Sequence, residues 1–154
     1  MKNLKLNKKE IISIQNNFGS YLFIDEALEV IPKLKSVCKF FLKKDLWFFD
    51  VHWKHNPNMP GMLQLEALTQ TASLSILSIP ENKKKFMYLT QINNVRFFRK
   101  VVPEDELILT AELKNFKRGI ASFVAYATVN EKLVCKCTFD LLLDGEINKY
   151  NKKK

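Results

Sequence analysis

The stretch PGMLQLEALTQTASLSILSIP, residues 60–80, contains the most apolar segment of the chain, around which the rest must pack. Its apolar side chains point in nearly every direction of a helical wheel: Leu63, Leu65, Ala67, Leu68, Ala72, Leu74, Ile76 and Leu77. Proline near a first turn favours a helix start, and a second proline marks its end. The pattern predicts a helix over 62–79 that is enclosed on most sides, because a surface helix carries only one apolar stripe.

The second half of the chain has a period of two. LILTAEL (107–113), ASFVAYATV (121–129) and LVCKCTFDLLL (133–143) carry apolar residues at their odd positions. This predicts three strands with one buried face each, and the short links NFKRG and NEK predict an antiparallel meander. Upstream, the sequence predicts a short helix over 8–17, a turn and a strand within 18–31, and another strand over 33–41.

A helix that is apolar all round and a sheet with one apolar face predict an α+β fold in which the sheet curls around the helix. The helix's remaining apolar side must then meet loops or another subunit, so we expect a dimer. The 154 residues fit a single domain, 1–154, with a disordered basic tail at about 149–154.

Composition narrows the classes of protein. Hydrophobic residues make up 47% of the chain, which argues against wholesale disorder, and no apolar run approaches the roughly 20 residues that cross a membrane. The first residues lack the apolar core of a secretion signal, so we expect a cytoplasmic location. Cys38, Cys135 and Cys137 are interpreted as core residues rather than a disulfide framework or metal ligands.

The formal net charge of +9 favours an acidic partner. Charge alone does not choose among a nucleic acid, an anionic membrane and an acidic protein. The sequence has no recognised nucleic-acid-binding motif and no stripe of interleaved basic and aromatic residues, so nucleic acid is not expected as a partner.

Glu66 is the only charged residue between Lys54 and Glu81. An unpaired carboxylate inside an apolar helix costs several kcal/mol, so it must accept hydrogen bonds or take up a proton. A carboxyl group that exchanges a proton near neutral pH serves as an acid or a base. The alternative is a glutamate on a narrow exposed stripe or at an interface, capped by Gln70 one turn along.

Two features before the helix, at His52 and at Gly61, complete a possible active site. His52 precedes it, and a single histidine can be structural or catalytic. His52, His55 and a distant glutamate form a thin metal-ligand set, so neither metal nor cofactor is expected. At Gly61, free N–H groups of the helix start can approach a carbonyl oxygen. Acid, base and oxyanion donors together suit proton removal next to a carbonyl.

These residues resemble the FabZ-type β-hydroxyacyl-acyl-carrier-protein dehydratases. VHWKHNPNMPGMLQLEALTQ (51–70) is similar to the family pattern GHFPxxPxxPGVLxxEAxAQ without a gap. INNVRFFRKVVPEDEL (92–107) is similar to its I-x-x-x-RF-x-R-x-VVPGD-x-L block, KRG (117–119) and NEKLVCKC to its RG and VDGKxVxxA segments, and FIDEALEV (23–30) to an early strand. The resemblance implies the hot-dog fold, a curved antiparallel sheet around a long central helix.

The resemblance also implies roles. His52 and Glu66 take the catalytic positions and come from different subunits of a homodimer, which in this family often forms a trimer of dimers. Gln70 would orient Glu66, and the substrate would be a 3-hydroxyacyl group on acyl carrier protein, an acidic partner suited to the basic chain. Arg96, Arg99 and Lys100 are candidates for contact with that carrier.

Four departures from the pattern leave alternatives open. Val51 replaces a glycine, Lys54 a proline and Glu104 a glycine, and NNFGS (16–20) stands in place of PHRYP. Val51 and Lys54 flank the proposed base, so a paralogue that binds acyl carrier protein without turnover, or acts on an altered substrate, is an alternative. A hot-dog thioesterase is another, although it has no need of His52.

Overall fold

A computed structural model describes residues 3–145, and the tail predicted at 149–154 lies outside them. Its elements are β1 (Leu4–Asn7), α1 (Lys8–Ile14), β2 (Glu26–Ile31), β3 (Lys35–Phe41), α2 (Trp47–Val51), α3 (Gly61–Leu77), β4 (Met87–Phe97), β5 (Glu106–Lys117), β6 (Ile120–Val129) and β7 (Lys132–Leu143). Short 3-10 turns cover Gly19–Tyr21 and Pro80–Asn82. Among these elements, no helix is long and apolar enough to cross a membrane.

The strands form one antiparallel sheet in the order β1-β2-β3-β5-β6-β7-β4. Helix α3 contacts the six strands β2 to β7. A sheet that meets one helix with so many strands must curve around it. The predicted hot-dog architecture is therefore confirmed.

The period of two marks the buried face of the meander. In β6 every odd residue from Ala121 to Val129 is buried, and the even residues are partly or fully exposed. Strand β5 is longer than predicted, because Asn115 to Lys117 continue it and only Arg118 and Gly119 turn the chain. Both turn residues have positive φ, 55° and 80°, the conformation that suits a tight hairpin.

Helix α3 starts one residue before and ends two before the predicted bounds, and it is enclosed as expected. Every residue from Ala67 to Leu77 is buried, including the polar Thr71 and Ser75. Part of the cover comes from loops, since the Lys33 N–H donates to the Ser75 carbonyl at 2.9 Å. Enclosure of this helix thus does not itself require a second subunit, and the dimer stays a prediction.

Three elements were not expected: β1, α2 and β4. Strand β4 is the clearest case, because nearly all of its side chains are exposed and no apolar alternation marks it. The helix predicted over 8–17 ends at Ile14, and Asn7 caps its start by accepting from the backbone N–H groups of Lys9 and Glu10. The turn and strand expected within 18–31 are present as the 3-10 turn and β2.

The three cysteines are free and buried, which confirms their interpretation as core residues. Burial raises the pKa of the Cys38 and Cys135 thiols to about 12 and that of Cys137 to about 11. A thiol reacts as its thiolate, so these side chains are inert packing groups in the folded protein.

Candidate active site

His52 lies directly after α2, whose Phe48 and Phe49 are buried in the core and anchor the helix. The imidazole is half-buried, and its Nδ1 lies 3.0 Å from the carbonyl oxygen of Asn58. A carbonyl only accepts hydrogen bonds, so Nδ1 carries the proton in the neutral ring. The Nε2 atom of that tautomer has a free lone pair and can accept a proton.

The loop after His52 makes a tight turn. The Asn56 N–H donates to the Trp53 carbonyl at 2.7 Å, and Trp53 has φ 54°, a left-handed conformation that is uncommon for a bulky residue. The indole stacks on the His52 ring, with centroids 4.9 Å apart and planes at 18°. The left-handed backbone at Trp53 places its side chain where it covers one face of the imidazole.

Gly61 begins helix α3 beside this histidine. Its N–H and that of Met62 are among the first of the helix and have no acceptor within it. A side chain at 61 would push Phe97 out of its place, because an added Cβ would lie 2.7 Å from the Phe97 ring. Glycine therefore lets the aromatic ring close over the helix start. His52, Gly61 and Phe97 line one cavity of about 510 Å³.

Glu66 occupies the second turn of α3 and is half-buried. Its carboxylate accepts a hydrogen bond of 2.9 Å from Nε2 of Gln70, one turn along the helix. Gln70 is itself fixed, since Nε2 also donates to the Tyr21 carbonyl and Oε1 accepts from the Phe23 N–H, both at 2.9 Å. These two backbone partners orient the carboxamide, and the donor end faces Glu66.

Glu66 and Gln70 line a second cavity, of about 190 Å³, together with Asn17, Thr69 and residues of β4. Partial burial, followed by the negative charge of Glu66, raises the pKa of the Tyr21 hydroxyl. Neither His52 nor Gly61 lines this cavity in the single chain. In the structure His52 and Gly61 line one cavity, and Glu66 and Gln70 line another.

The three candidate basic residues differ in position. Arg99 and Lys100 line the His52 cavity, whereas Arg96 is on β4 with its guanidinium 5.5 Å from the centroid of the Phe98 ring. All three are exposed. Arg99 and Lys100 place positive charge around the cavity that His52 lines.

Sequence reasoning missed several residues that build the site. Asn58 supplies the carbonyl that holds His52, and Phe97 covers Gly61. Tyr21 and Phe23 hold Gln70 through backbone groups. These partners act through backbone groups, which are the same in every residue, so the sequence gives no signal for them. The one available signal was Gly61, a glycine at a helix start, which lies beside the aromatic Phe97 at the end of β4.

The chain is similar to known proteins over most of its length. Residues 20–138 match a family model described as a FabA-like domain. A 3-hydroxyacyl-[acyl-carrier-protein] dehydratase FabZ of Roseiflexus sp. is 36% identical, covering 92% of this chain and 99% of the relative. The FabZ of Acetivibrio thermocellus is 38% identical, covering 85% and 90%. A solved structure, the dehydratase heterocomplex ApeI:P from Xenorhabdus doucetiae, has a TM-score of 0.73 at 10% identity, covering 91% and 95%.

Proposed function

Since the chain belongs to the FabA-like family, as one of its FabZ-type dehydratases, we propose that it removes water from (3R)-3-hydroxyacyl-[acyl-carrier-protein]. The product is trans-2-enoyl-[acyl-carrier-protein], an intermediate of fatty-acid biosynthesis, and the enzyme is a hydro-lyase. The observation that carries the proposal is the His52 ring, held through Nδ1 so that Nε2 is a base beside the start of α3.

The proposed reaction uses three groups. His52 Nε2 takes the proton from C2 of the substrate, and the electrons pass toward the thioester oxygen, which the N–H groups at Gly61 stabilise. Glu66 gives its proton to the hydroxyl on C3, which leaves as water while the C2–C3 double bond forms. Gln70 keeps the Glu66 carboxyl oriented through its 2.9 Å hydrogen bond.

We propose further that the working site is shared between two copies of the chain. Within one copy His52 and Glu66 line different cavities, which supports a catalytic site that a second copy completes. The edge strand β4 supports this, because it and the residues beside it expose large apolar side chains: Phe86, Tyr88, Leu89, Val95 and Phe97. An exposed apolar edge is a liability unless another chain covers it. A trimer of such dimers stays a prediction.

The proposed partner is acyl carrier protein, which presents the acyl chain on its phosphopantetheine arm. Arg99 and Lys100 at the mouth of the His52 cavity suit an acidic carrier, and Arg96 lies close by in sequence. Rim charges chiefly speed association and make it sensitive to salt. Arg99→Ala should therefore raise KM for carrier-bound substrate, more at low salt, and leave turnover of a short pantetheine thioester unchanged. No cofactor takes part, and the proposed location is the cytoplasm.

The test is hydration of crotonyl-[acyl-carrier-protein] and longer enoyl thioesters, and dehydration of the matching 3-hydroxyacyl thioesters. His52→Ala and Glu66→Gln should each lower the rate by about a hundredfold or more, the scale of a general base or acid. His55→Ala and Glu81→Gln are matched controls of the same residue types that line neither cavity, and both should keep the wild-type rate.

Each alternative has its own outcome in this assay. Release of free acid in place of reversible hydration identifies a thioesterase. Binding of acyl carrier protein without turnover at any chain length identifies a non-catalytic paralogue, and either result overturns the proposed activity.

A further inference from the structure

A chain of hydrogen bonds holds the loop between α2 and α3. His52 Nδ1 donates to the Asn58 carbonyl at 3.0 Å, and the Asn58 side chain donates through Nδ2 to the Asn56 carbonyl at 2.9 Å. Lys100 Nζ then donates to Asn56 Oδ1 at 2.9 Å. The imidazole is thus connected, through two asparagines, to the segment that follows β4.

The members of this chain differ in burial. Asn58 is 8% exposed, whereas Asn56 and Lys100 are exposed at the surface. Leaving a buried amide without its hydrogen-bond partner strongly destabilises the folded protein, whereas a surface contact of a lysine contributes little to its stability. The bond from Asn58 to the Asn56 carbonyl is therefore the link that shapes the loop.

The same loop lacks the rigidity that its family pattern supplies. Lys54 stands where the pattern has proline, and the backbone between Trp53 and Asn56 is closed by a hydrogen bond instead. The peptide that carries the Asn58 carbonyl is tied on one side, because the Met59 N–H donates to the Val101 carbonyl at 2.8 Å. The bond from the Asn58 side chain to the Asn56 carbonyl adds a tie to the turn itself and so directs the Asn58 carbonyl toward Nδ1.

We propose that Asn58 is the positioning residue for His52. Its side chain locks the turn at 56–58, its carbonyl then holds the Nδ1 proton, and Nε2 is kept as the base that faces the substrate. This inference rests on the proposed function, because it concerns the proton-accepting role of His52. The Asn58 side chain thus restricts the loop by a hydrogen bond, where the family pattern restricts it by a proline at the position of Lys54.

The test compares Asn58→Leu, which keeps the size of the side chain and removes its donor, with the wild-type protein. We expect kcat for enoyl hydration to fall about tenfold, the cost of a small misplacement, while KM stays within about twofold. Nitrogen-15 NMR of the neutral His52 ring should show the Nδ1–H tautomer in wild type and a mixture of tautomers in the variant.

Asn56→Ala is the matched control, because it keeps the backbone carbonyl and removes only the bond to Lys100. Its kcat should stay within about twofold of wild type. Unchanged kcat and an unchanged Nδ1–H tautomer in Asn58→Leu overturn the proposal. If that variant does not fold, the wild-type spectrum decides alone, since an Nε2–H tautomer there also overturns it.

The two proposals fail in different ways. A wild-type protein without dehydratase activity, in which the His52 tautomer still depends on Asn58, overturns the proposed function and keeps the positioning role. Full activity in Asn58→Leu, with the tautomer unchanged, overturns the positioning role and keeps the function.

Discussion

His52 and Glu66 are held in place by different kinds of structure, a loop and a helix. Glu66 stands within the 17-residue helix α3, and Gln70 on the same helix holds its carboxylate. His52 stands on a loop, where one backbone carbonyl and a stacked indole hold the ring. A helix fixes side-chain spacing by its own hydrogen bonds, whereas a loop needs contacts that its particular sequence provides.

The departures from the family pattern follow this difference. The helix keeps both Glu66 and Gln70, while Val51 and Lys54 lie on either side of His52. Val51 belongs to α2 and its side chain is 74% exposed, so no positive φ or close packing requires glycine there. A loop can be fixed by more than one set of contacts, and this chain uses contacts other than the glycine and proline of the family pattern.

Complementation between variants should give the largest change in activity, and it tests whether the His52 and Glu66 of one site come from different chains. His52→Ala and Glu66→Gln homodimers should each be nearly inactive, but their co-expression should recover about a quarter of wild-type activity, since half of the dimers are mixed and each has one intact site. The measurement is enoyl hydration on separately purified and co-expressed proteins. A co-expressed mixture as inactive as its parents would place both residues of a site in one chain.

The helix side is tested by Gln70→Leu. This change leaves the Phe23 N–H and the Tyr21 carbonyl without their partner in a buried place, so we expect the free energy of unfolding to fall by about 3 kcal/mol. Activity should fall as well, because Glu66 loses its donor. Urea unfolding and kinetics measure the two effects.

Thr71→Val is the control on the same helix, since its hydroxyl donates to the Ala67 carbonyl one turn back and its other contact is the buried Cys38 thiol. It should change the unfolding free energy by less than about 1 kcal/mol. Equal losses in Gln70→Leu and Thr71→Val would mean that Gln70 is ordinary core packing.

The loop side is tested by Lys54→Pro, which restores the family residue. Proline disfavours the left-handed conformation of the residue before it, and Trp53 has φ 54°. We expect a loss of about 1–2 kcal/mol in stability or a lower kcat, rather than an improvement. Lys54→Ala removes the same charge without the ring and should behave as wild type. A more active Lys54→Pro would show that the loop can adopt the family's conformation.

The smallest expected effect lies away from both sites, at Glu104. This residue replaces a glycine of the pattern and has φ 73°, so Glu104→Gly should raise the unfolding free energy by about 1 kcal/mol and leave kcat unchanged. Glu104→Ala retains the strain and loses only the exposed ion pair with Lys44, so it should change stability little. Thermal or urea unfolding distinguishes the two variants.

The helices and strands whose side chains face the core could be predicted from the residue pattern alone. The period of two in β6 and β7, and the apolar run of α3 between prolines, predicted these elements closely, because burial selects side-chain type at each position. The motif residues around His52 and Glu66 were recognisable for a related reason, since the proposed chemistry requires those groups.

The remaining features depend on contacts between parts of the chain that are distant in sequence. Strand β4 carries no apolar alternation because it is the edge of the sheet, and Gln70 is oriented by the backbone of Tyr21 and Phe23, about fifty residues away in the chain. Likewise, the turn that holds His52 depends on a carbonyl and on a left-handed tryptophan. Backbone groups are the same in every residue, so their partnerships appear only when the chain has folded.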